Sequence, residues 1–277
     1  MKHDGIIEGY ETLPLTLLRD EGTGATVLRR RSARPSRRGA VYVHCPGDAF
    51  VRDELVVWFT DRGFHFYAAD LPEVGGGPGT RQDTNLVAAD LSEYFRWLDE
   101  AVAHVRQADA IDTVVMCAHG TGALVCALWC HARRAGRPAD VLVLATPDLS
   151  RGQSWLARAG AVWRTGAAGE GMPPAGRVSP LRAAAQRRVR RGLDIACPVL
   201  VMCPARDWDS PAGVAGPVIL RALFGAPATV RLGEHVTWLK LDGGQPLPGG
   251  PERKRFFDEL GRWLGAYLSG QVRDQLL

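Results

Sequence analysis

The sequence runs Val114-Val115-Met116-Cys117-Ala118-His119-Gly120-Thr121-Gly122-Ala123-Leu124. This stretch predicts a buried strand that turns sharply into a helix. In a turn of this kind, small residues flank a central serine, because the serine hydroxyl is exposed on a strained turn above the sheet. The small flanking residues here are Ala118 and Gly122, but the central position is Gly120. Because glycine has no side chain, this position cannot supply a nucleophile.

Composition and charge are those of an ordinary globular protein. The 277 residues are enough for one large α/β domain. The formal net charge is only +4, and the arginines cluster in two stretches, residues 29–38 and 182–191. A nucleic-acid site would need both clusters on one face. Because the first stretch predicts a solvated hairpin loop and the second an exposed helix face, we expect no nucleic-acid partner.

Targeting and metal signals are absent from the sequence pattern. No apolar run resembles a signal peptide or reaches membrane-spanning length, so we expect a cytoplasmic protein that does not associate with membranes. The six cysteines, at positions 45, 117, 126, 130, 197 and 203, lie mostly in apolar segments, which favours buried, reduced thiols. Since no histidines and cysteines have metal-ligand spacing, we expect neither a metal nor a cofactor.

Apolar runs alternate with amphipathic helical stretches, which predicts a mostly parallel sheet flanked by helices. Strands are predicted at residues 12–18, 25–30, 41–44, 64–69, 113–117, 141–145, 199–203 and 236–241. Helices are predicted at residues 52–62, 85–107, 122–134 and 251–268. Residues 147–196 lose this alternation, with Trp155 and Trp163 as apolar anchors. We interpret residues 147–196 as an inserted cap on a core formed by residues 1–146 and 197–277.

Four motifs carry a resemblance over essentially the whole chain. They are Tyr42-Val43-His44-Cys45-Pro46-Gly47, Tyr67-Ala68-Ala69-Asp70-Leu71-Pro72, the strand–helix turn at Gly120, and Cys197-Pro198-Val199-Leu200-Val201-Met202. In this order they resemble the α/β-hydrolase superfamily. Within it, the chain is similar to the serine-aminopeptidase and monoacylglycerol-lipase-like hydrolases of actinobacteria. The resemblance implies an α/β-hydrolase fold.

The resemblance also places a catalytic triad position by position. The nucleophile position is Gly120, and the acid position is Asp207, with Asp209 as a near alternative. The histidine belongs just after the last strand, where the chain has Asp242-Gly243-Gly244-Gln245-Pro246-Leu247-Pro248 and no histidine. Gln245 therefore lies near the former histidine position. His235 precedes the last strand, which separates it from that position by roughly 20 Å. Only the acid of the triad is retained.

Other residues near the turn are weak replacements for the missing serine. Thr121 would contribute a backbone N–H to the oxyanion hole while its side chain points away from an acyl carbon. Cys45 lies in the oxyanion loop, but no base is visible beside it. His119 is expected to pack beside the sheet as a semi-buried residue. We expect Cys45, Pro46, His119 and Thr121, with Trp155 and Trp163 of the cap, to line a ligand pocket.

Three functions remain open from the sequence. The first is a catalytically degenerate α/β-hydrolase-fold protein that binds a small, largely apolar metabolite. Such a pocket could promote a non-covalent cyclisation, rearrangement or elimination in biosynthesis. The second is a non-enzymatic module that binds a partner. The third is a hydrolase whose nucleophile is Cys45.

Overall fold

The computed structural model describes residues 9–14, 26–43, 53–70, 91–145, 180–189, 192–204, 236–241 and 251–268. Eight strands in these ranges form one sheet. They are β1 (Glu11–Pro14), β2 (Thr26–Arg30), β3 (Arg38–Val43), β4 (His65–Asp70), β5 (Thr113–His119), β6 (Val141–Ala145), β7 (Val199–Pro204) and β8 (Val236–Leu241).

The sheet is parallel except at one end. Its order is β1-β2-β4-β3-β5-β6-β7-β8, and only β1 and β2 run antiparallel to their neighbours. From β4 to β8 all neighbouring strands are parallel. The carboxyl ends of six strands therefore share one edge of the sheet, the edge at which open α/β sheets bind ligands.

Helices cover both faces of the sheet. They are α1 (Asp53–Asp61), α2 (Leu91–Ala108), α3 (Gly120–Ala132), α4 (Pro180–Val189) and α5 (Pro251–Leu268). Buried residues of α2, α3 and α4 form one core cluster with the sheet. Those of α1 and α5 form the second, on the opposite face. Because both faces are covered, the central strands are nearly continuous apolar runs rather than alternating ones.

The predicted fold is confirmed. β6, β8 and α5 have the bounds expected from the sequence, and β1 pairs with β2 as expected. The main difference lies at the central turn, where β5 continues to His119 and α3 begins at Gly120 rather than at residue 122. The predicted solvated loop at residues 29–38 is wrong for Arg29. This residue lies in β2 and is buried.

One described helix lies within the segment predicted as a cap. The helix α4 supplies the buried residues Ala185 and Val189 to the cluster that also contains α3. It thus lies on the connection between β6 and β7, against the sheet. Residues 147–179 are outside the described ranges, so the cap itself stays a prediction. No helix in the described part of the chain has the length and apolarity needed to cross a bilayer.

Candidate functional site

The turn between β5 and α3 lies at the middle of the sheet. β5 is hydrogen-bonded to β3 on one side and β6 on the other, and six of its seven residues are buried. It ends at His119, and α3 begins at the next residue, Gly120. No loop separates strand and helix. The turn is therefore held at the carboxyl edge of the parallel strands by two core elements.

Gly120 makes the turn through an unusual backbone conformation. Its φ is 54°, whereas His119 before it is extended, with φ −125° and ψ 144°. A positive φ brings a Cβ close to backbone atoms and costs most residues about 1–2 kcal/mol, but glycine escapes this cost. The backbone thus has the sharp turn on which a nucleophilic serine is normally displayed. The residue on it has no side chain.

The first turn of α3 offers hydrogen-bond donors at this edge. The first N–H groups of any helix have no partner within the helix. His119, the N-cap residue, makes no side-chain capping hydrogen bond, and the first turn carries no acidic residue. The rest of the helix is fixed, because every residue from Ala123 to Cys130 is buried. This helix end can therefore bind a carbonyl oxygen or an anionic group.

His119 is the described histidine closest to the turn. It is 9% exposed and is paired across the sheet with Ala145, the last residue of β6. Among the histidines that the structure describes, the others lie elsewhere. His65 begins β4 and His131 lies in the last turn of α3, while His104 is in the second half of α2. An imidazole is thus present beside the turn, but Gly120 gives it no hydroxyl to activate.

Burial makes three of the described cysteines poor candidates for a nucleophile. Cys117, Cys126, Cys130 and Cys197 are buried free thiols, as expected from the sequence. Burial raises the pKa of Cys117 and of Cys126 far above the usual range. A hydrogen bond with Cys197, together with burial, raises the pKa of Cys130. Because thiolates are the reactive form, these raised pKa values make Cys117, Cys126 and Cys130 poor nucleophiles and poor metal ligands. No cluster of metal-ligating side chains occurs among the residues that the structure describes.

The structure brings together two of the predicted site residues, His119 and Gly120. The backbone of Thr121 lies in the first turn of α3 beside them. The remaining predicted residues lie outside the described ranges: Cys45, Pro46, Trp155, Trp163, Asp207 and Gln245. The strands that precede four of them are in place. β3 ends at Val43, β7 at Pro204 and β8 at Leu241, all at the carboxyl edge.

The structure contains a partly buried ionic network that was not predicted from the sequence. Asp109 accepts hydrogen bonds from the Tyr67 hydroxyl at 2.6 Å and from Arg29 at 2.9 Å, and Arg31 contacts its other oxygen. Arg29 also pairs with Glu11. Burial pushes the pKa of Asp109 upward, but the bonds from Tyr67, Arg29 and Arg31 outweigh it, so this pKa lies below its ordinary value. Strand alternation was the available signal, since Arg29 shares a face with the buried Val27.

This network lies far from the turn at Gly120. Asp109 directly follows α2, before β5 begins, and therefore lies at the amino edge of the sheet. Its two arginines pair with its two carboxylates, and only the buried Arg29 Nε has no hydrogen-bond partner among the described residues. The network joins β1, β2, β4 and the end of α2, and we assign it to stability rather than chemistry.

Comparison with known families fits this geometry. The family model of the serine aminopeptidases, S33, matches residues 42–207. The chain belongs to this family. The match includes the turn at Gly120 and extends to the predicted acid, Asp207. No curated protein matches the chain.

Solved structures show the same fold at low sequence identity. A monoacylglycerol lipase from Paleococcus ferrophilus has 18% identity, covers 87% of this chain and 99% of its own, and has a TM-score of 0.59. A thermostable carboxyl esterase from Bacillus coagulans has 13% identity, with 95% and 98% coverage and a TM-score of 0.61. Est1E from Butyrivibrio proteoclasticus has 12% identity, with 93% and 99% coverage and a TM-score of 0.60. This family member therefore has the α/β-hydrolase fold along nearly its whole length.

Proposed function

We propose that this chain is a degenerate α/β-hydrolase that binds a small, largely apolar metabolite and does not act as a serine hydrolase. The observation that carries the proposal is Gly120, at φ 54°, on the strand–helix turn. Serine hydrolases of this fold hold their nucleophile on that turn. A residue without a side chain cannot form an acyl-enzyme intermediate.

The sequence at the expected position of the catalytic histidine supports the same proposal. The sequence from residue 236 to the end contains no histidine. Val236, the first residue of β8, pairs with Val199, the first residue of β7. The chain before β8 therefore enters the sheet at its amino edge, with a six-residue strand, roughly 20 Å long, before the carboxyl edge. His235, which directly precedes β8, is a poor candidate for a base at the turn.

A pocket is what such a site would retain. We propose that Asp207 remains from the triad, that Gln245 stands near the former histidine position, and that the walls come from the turn, the oxyanion loop and the cap. The proposed lining residues are Cys45, Pro46, His119, Thr121, Trp155 and Trp163. Loss of a serine and an imidazole leaves space, and the first N–H groups of α3 can orient one polar group of the ligand.

The proposed activity needs only this shape. A pocket that holds a flexible apolar molecule in one reactive conformer can accelerate a cyclisation, rearrangement or elimination without a covalent intermediate. Reactions of this kind belong to biosynthesis rather than to ester or peptide breakdown.

Ligand-dependent melting tests the pocket. The probe is 8-anilinonaphthalene-1-sulfonate, an apolar molecule with one anionic group that the N–H groups of α3 can bind. We expect it to raise the melting temperature progressively with concentration, as mass action requires. Gly120→Trp should abolish this increase, because the indole would fill the pocket at the turn.

The matched control is Gly136→Trp. Gly136 lies in a short 3₁₀ turn beyond the other end of α3, and a Cβ added there meets no atom within 4 Å. This variant should keep the full ligand-dependent increase. If the increase survives in Gly120→Trp, the ligand binds elsewhere. That result would favour the partner-binding module over a pocket at the turn.

A further inference from the structure

The amino edge of the sheet carries an unusual concentration of arginine. Three segments form what we call the amino-edge face: residues 31–38, residues 61–64 and residues 133–140. The first joins β2 to β3, the second joins α1 to β4, and the third joins α3 to β6. They are adjacent because β4, β3, β5 and β6 are successive strands of the sheet.

Most aspartates at this edge are already neutralised. Four ion pairs account for them: Arg31 with Asp109 at 2.9 Å, Arg37 with Asp112 at 2.9 Å, Arg106 with Asp140 at 3.6 Å and Arg134 with Asp194 at 3.1 Å. These pairs leave no net charge of their own.

Four further arginines leave the face positively charged. Arg34, Arg38, Arg62 and Arg137 are all exposed, and none has a carboxylate partner among the described residues. Asp61 is the one exposed carboxylate within the three segments that is not paired with an arginine in the described part of the chain. Guanidinium groups outnumber the carboxylates that could balance them.

The arginines are presented on a rigid support. The Ser32 N–H donates to His65 at 3.0 Å, the Ser32 hydroxyl donates to the Thr60 carbonyl at 2.9 Å, and His65 contacts the Ser36 carbonyl at 3.1 Å. These bonds fix residues 32–36 against the turn before β4. A partner that binds here therefore need not order the loop.

Two of the guanidinium groups are also restrained by aromatic rings. Arg38 lies over Phe64, 4.6 Å from the ring centroid, and donates to the Arg62 carbonyl at 3.0 Å. Arg62 lies over Trp58 at 4.2 Å. Each cation–π contact leaves part of the guanidinium free to bind an external acceptor.

We propose that the amino-edge face binds an acidic segment of a partner protein. Guanidinium groups bind carboxylates through two parallel hydrogen bonds, and separate carboxylates can each bind one of the four arginines that have no carboxylate partner among the described residues. From β4 to β6 the face spans three strand spacings, about 14 Å, which an extended segment of four or five residues covers. The face is opposite the proposed pocket and does not depend on it.

A nucleic acid fits this surface less well. Val57 is the only large apolar side chain exposed in the described part of the chain, so those residues offer no aromatic platform on which bases could stack.

Binding of a fluorescein-labelled octaglutamate peptide, measured by fluorescence anisotropy at low salt, tests the proposal. We expect the double variant Arg34→Gln/Arg137→Gln to weaken binding about fivefold to tenfold. Raising the ionic strength to the physiological range should also lower the affinity of the wild-type chain for the peptide. Neither arginine side chain makes a hydrogen bond or an ion pair with the described residues, so the double variant should fold normally.

The matched control is Arg96→Gln/Arg255→Gln, which removes the same charge from exposed positions on α2 and α5. It should change the affinity less than about twofold. The proposal is overturned if both double variants weaken binding equally, or if the wild-type chain does not bind octaglutamate. Tighter binding of a DNA duplex of equal charge would assign the face to nucleic acid instead.

Discussion

Residue 120 has a positive φ, and the presence of glycine there has two consequences, one for stability and one for chemistry. The turn at φ 54° would strain a serine, and glycine removes that strain. The same replacement removes the hydroxyl on which acyl transfer depends. In a serine hydrolase the serine at this turn keeps the strained backbone conformation, and it is the nucleophile. In this chain the turn is kept and the strain is not.

Gly120→Ser should therefore lower the free energy of unfolding without creating an enzyme. We expect a loss of about 1–2 kcal/mol, because a serine at this position must adopt a left-handed backbone conformation, in which its Cβ is crowded. Chemical denaturation measures it, with Gly136→Ser as the control at an open position without positive φ. A destabilisation equal to that of the control would contradict the argument from strain.

The same variant also tests the proposed loss of the catalytic base. Without a histidine, the introduced serine would remain a weak nucleophile at neutral pH, so Gly120→Ser alone should hydrolyse no p-nitrophenyl ester. Family-like rates from this single substitution would mean that a base, such as His119, already reaches the turn. The double variant Gly120→Ser/Gln245→His is the fairer attempt to restore activity, although Pro246 and Pro248 restrict its loop.

Asp109 offers a contrast between a buried and an exposed ion pair. Its side chain is 7% exposed and that of its partner Arg29 is 8% exposed, whereas Asp112 and its partner Arg37 are 56% and 69% exposed. Asp109→Ala leaves a buried guanidinium short of an acceptor and should cost about 3–5 kcal/mol. Asp112→Ala should cost less than about 1 kcal/mol. Urea denaturation of both variants measures the difference, and equal losses would contradict the assigned structural role.

At the scale of elements, α3 joins the two edges of the sheet. It begins at the candidate site, and its last turn carries His131, which contacts the segment after α4. His131 contacts Arg188 through Nε2, and its Nδ1 lies 2.8 Å from the Asp194 N–H and 3.2 Å from the Asp194 carbonyl oxygen. The Arg134 guanidinium lies nearby and pairs with Asp194. A protonated ring would direct an N–H at Arg188, which can only donate.

This contact predicts a pH-dependent stability. Burial, and next the charge of Arg188, lower the pKa of His131 below 6.5 in the folded protein. As the pH falls through about 6.5, the unfolded chain takes up a proton before the folded chain does, so the free energy of unfolding decreases. Three carboxylates, Glu11, Asp109 and Glu259, have lowered pKa values. They change the stability only at lower pH, around and below their ordinary pKa values of 4.5 for glutamate and 3.8 for aspartate.

Denaturation at pH 7 and pH 5 separates His131 from the other groups. His131→Gln should lose less stability than the wild-type chain over this interval, because its side chain does not titrate. His104→Gln is the control, since His104 is half-buried on α2 and has no partner among the described residues. Equal pH dependence of the wild-type chain and His131→Gln would exclude the proposed role of this contact.

At the scale of the whole molecule, the sequence predicted the sheet better than its connections. Short apolar runs such as Val141–Ala145 are strands because a covered parallel sheet demands them, and this signal is local. The start of α3 was displaced by two residues because Gly120 and Gly122 both resemble helix boundaries. The network around Asp109 joins residues 11, 29, 67 and 109, and no local pattern brings such distant positions together.

The candidate site was predictable only where its residues lie within one local sequence motif. Gly120 lies within one motif, so its place at the turn followed from the sequence. His119 was expected to be semi-buried beside the sheet, and it is 9% exposed. The amino-edge face was not predicted. Its arginines lie far apart in the sequence, and only the parallel order of β4, β3, β5 and β6 brings them to one surface.

Turnover of p-nitrophenyl esters by the purified chain tests the central claim most directly. The control is an active esterase of the same fold, such as the Bacillus coagulans enzyme. We predict that the ester is hydrolysed no faster than in buffer alone and that a fluorophosphonate does not change this rate, because Gly120 offers no hydroxyl. Turnover that a fluorophosphonate abolishes would contradict the account, and turnover lost in Cys45→Ala would identify a thiol hydrolase instead.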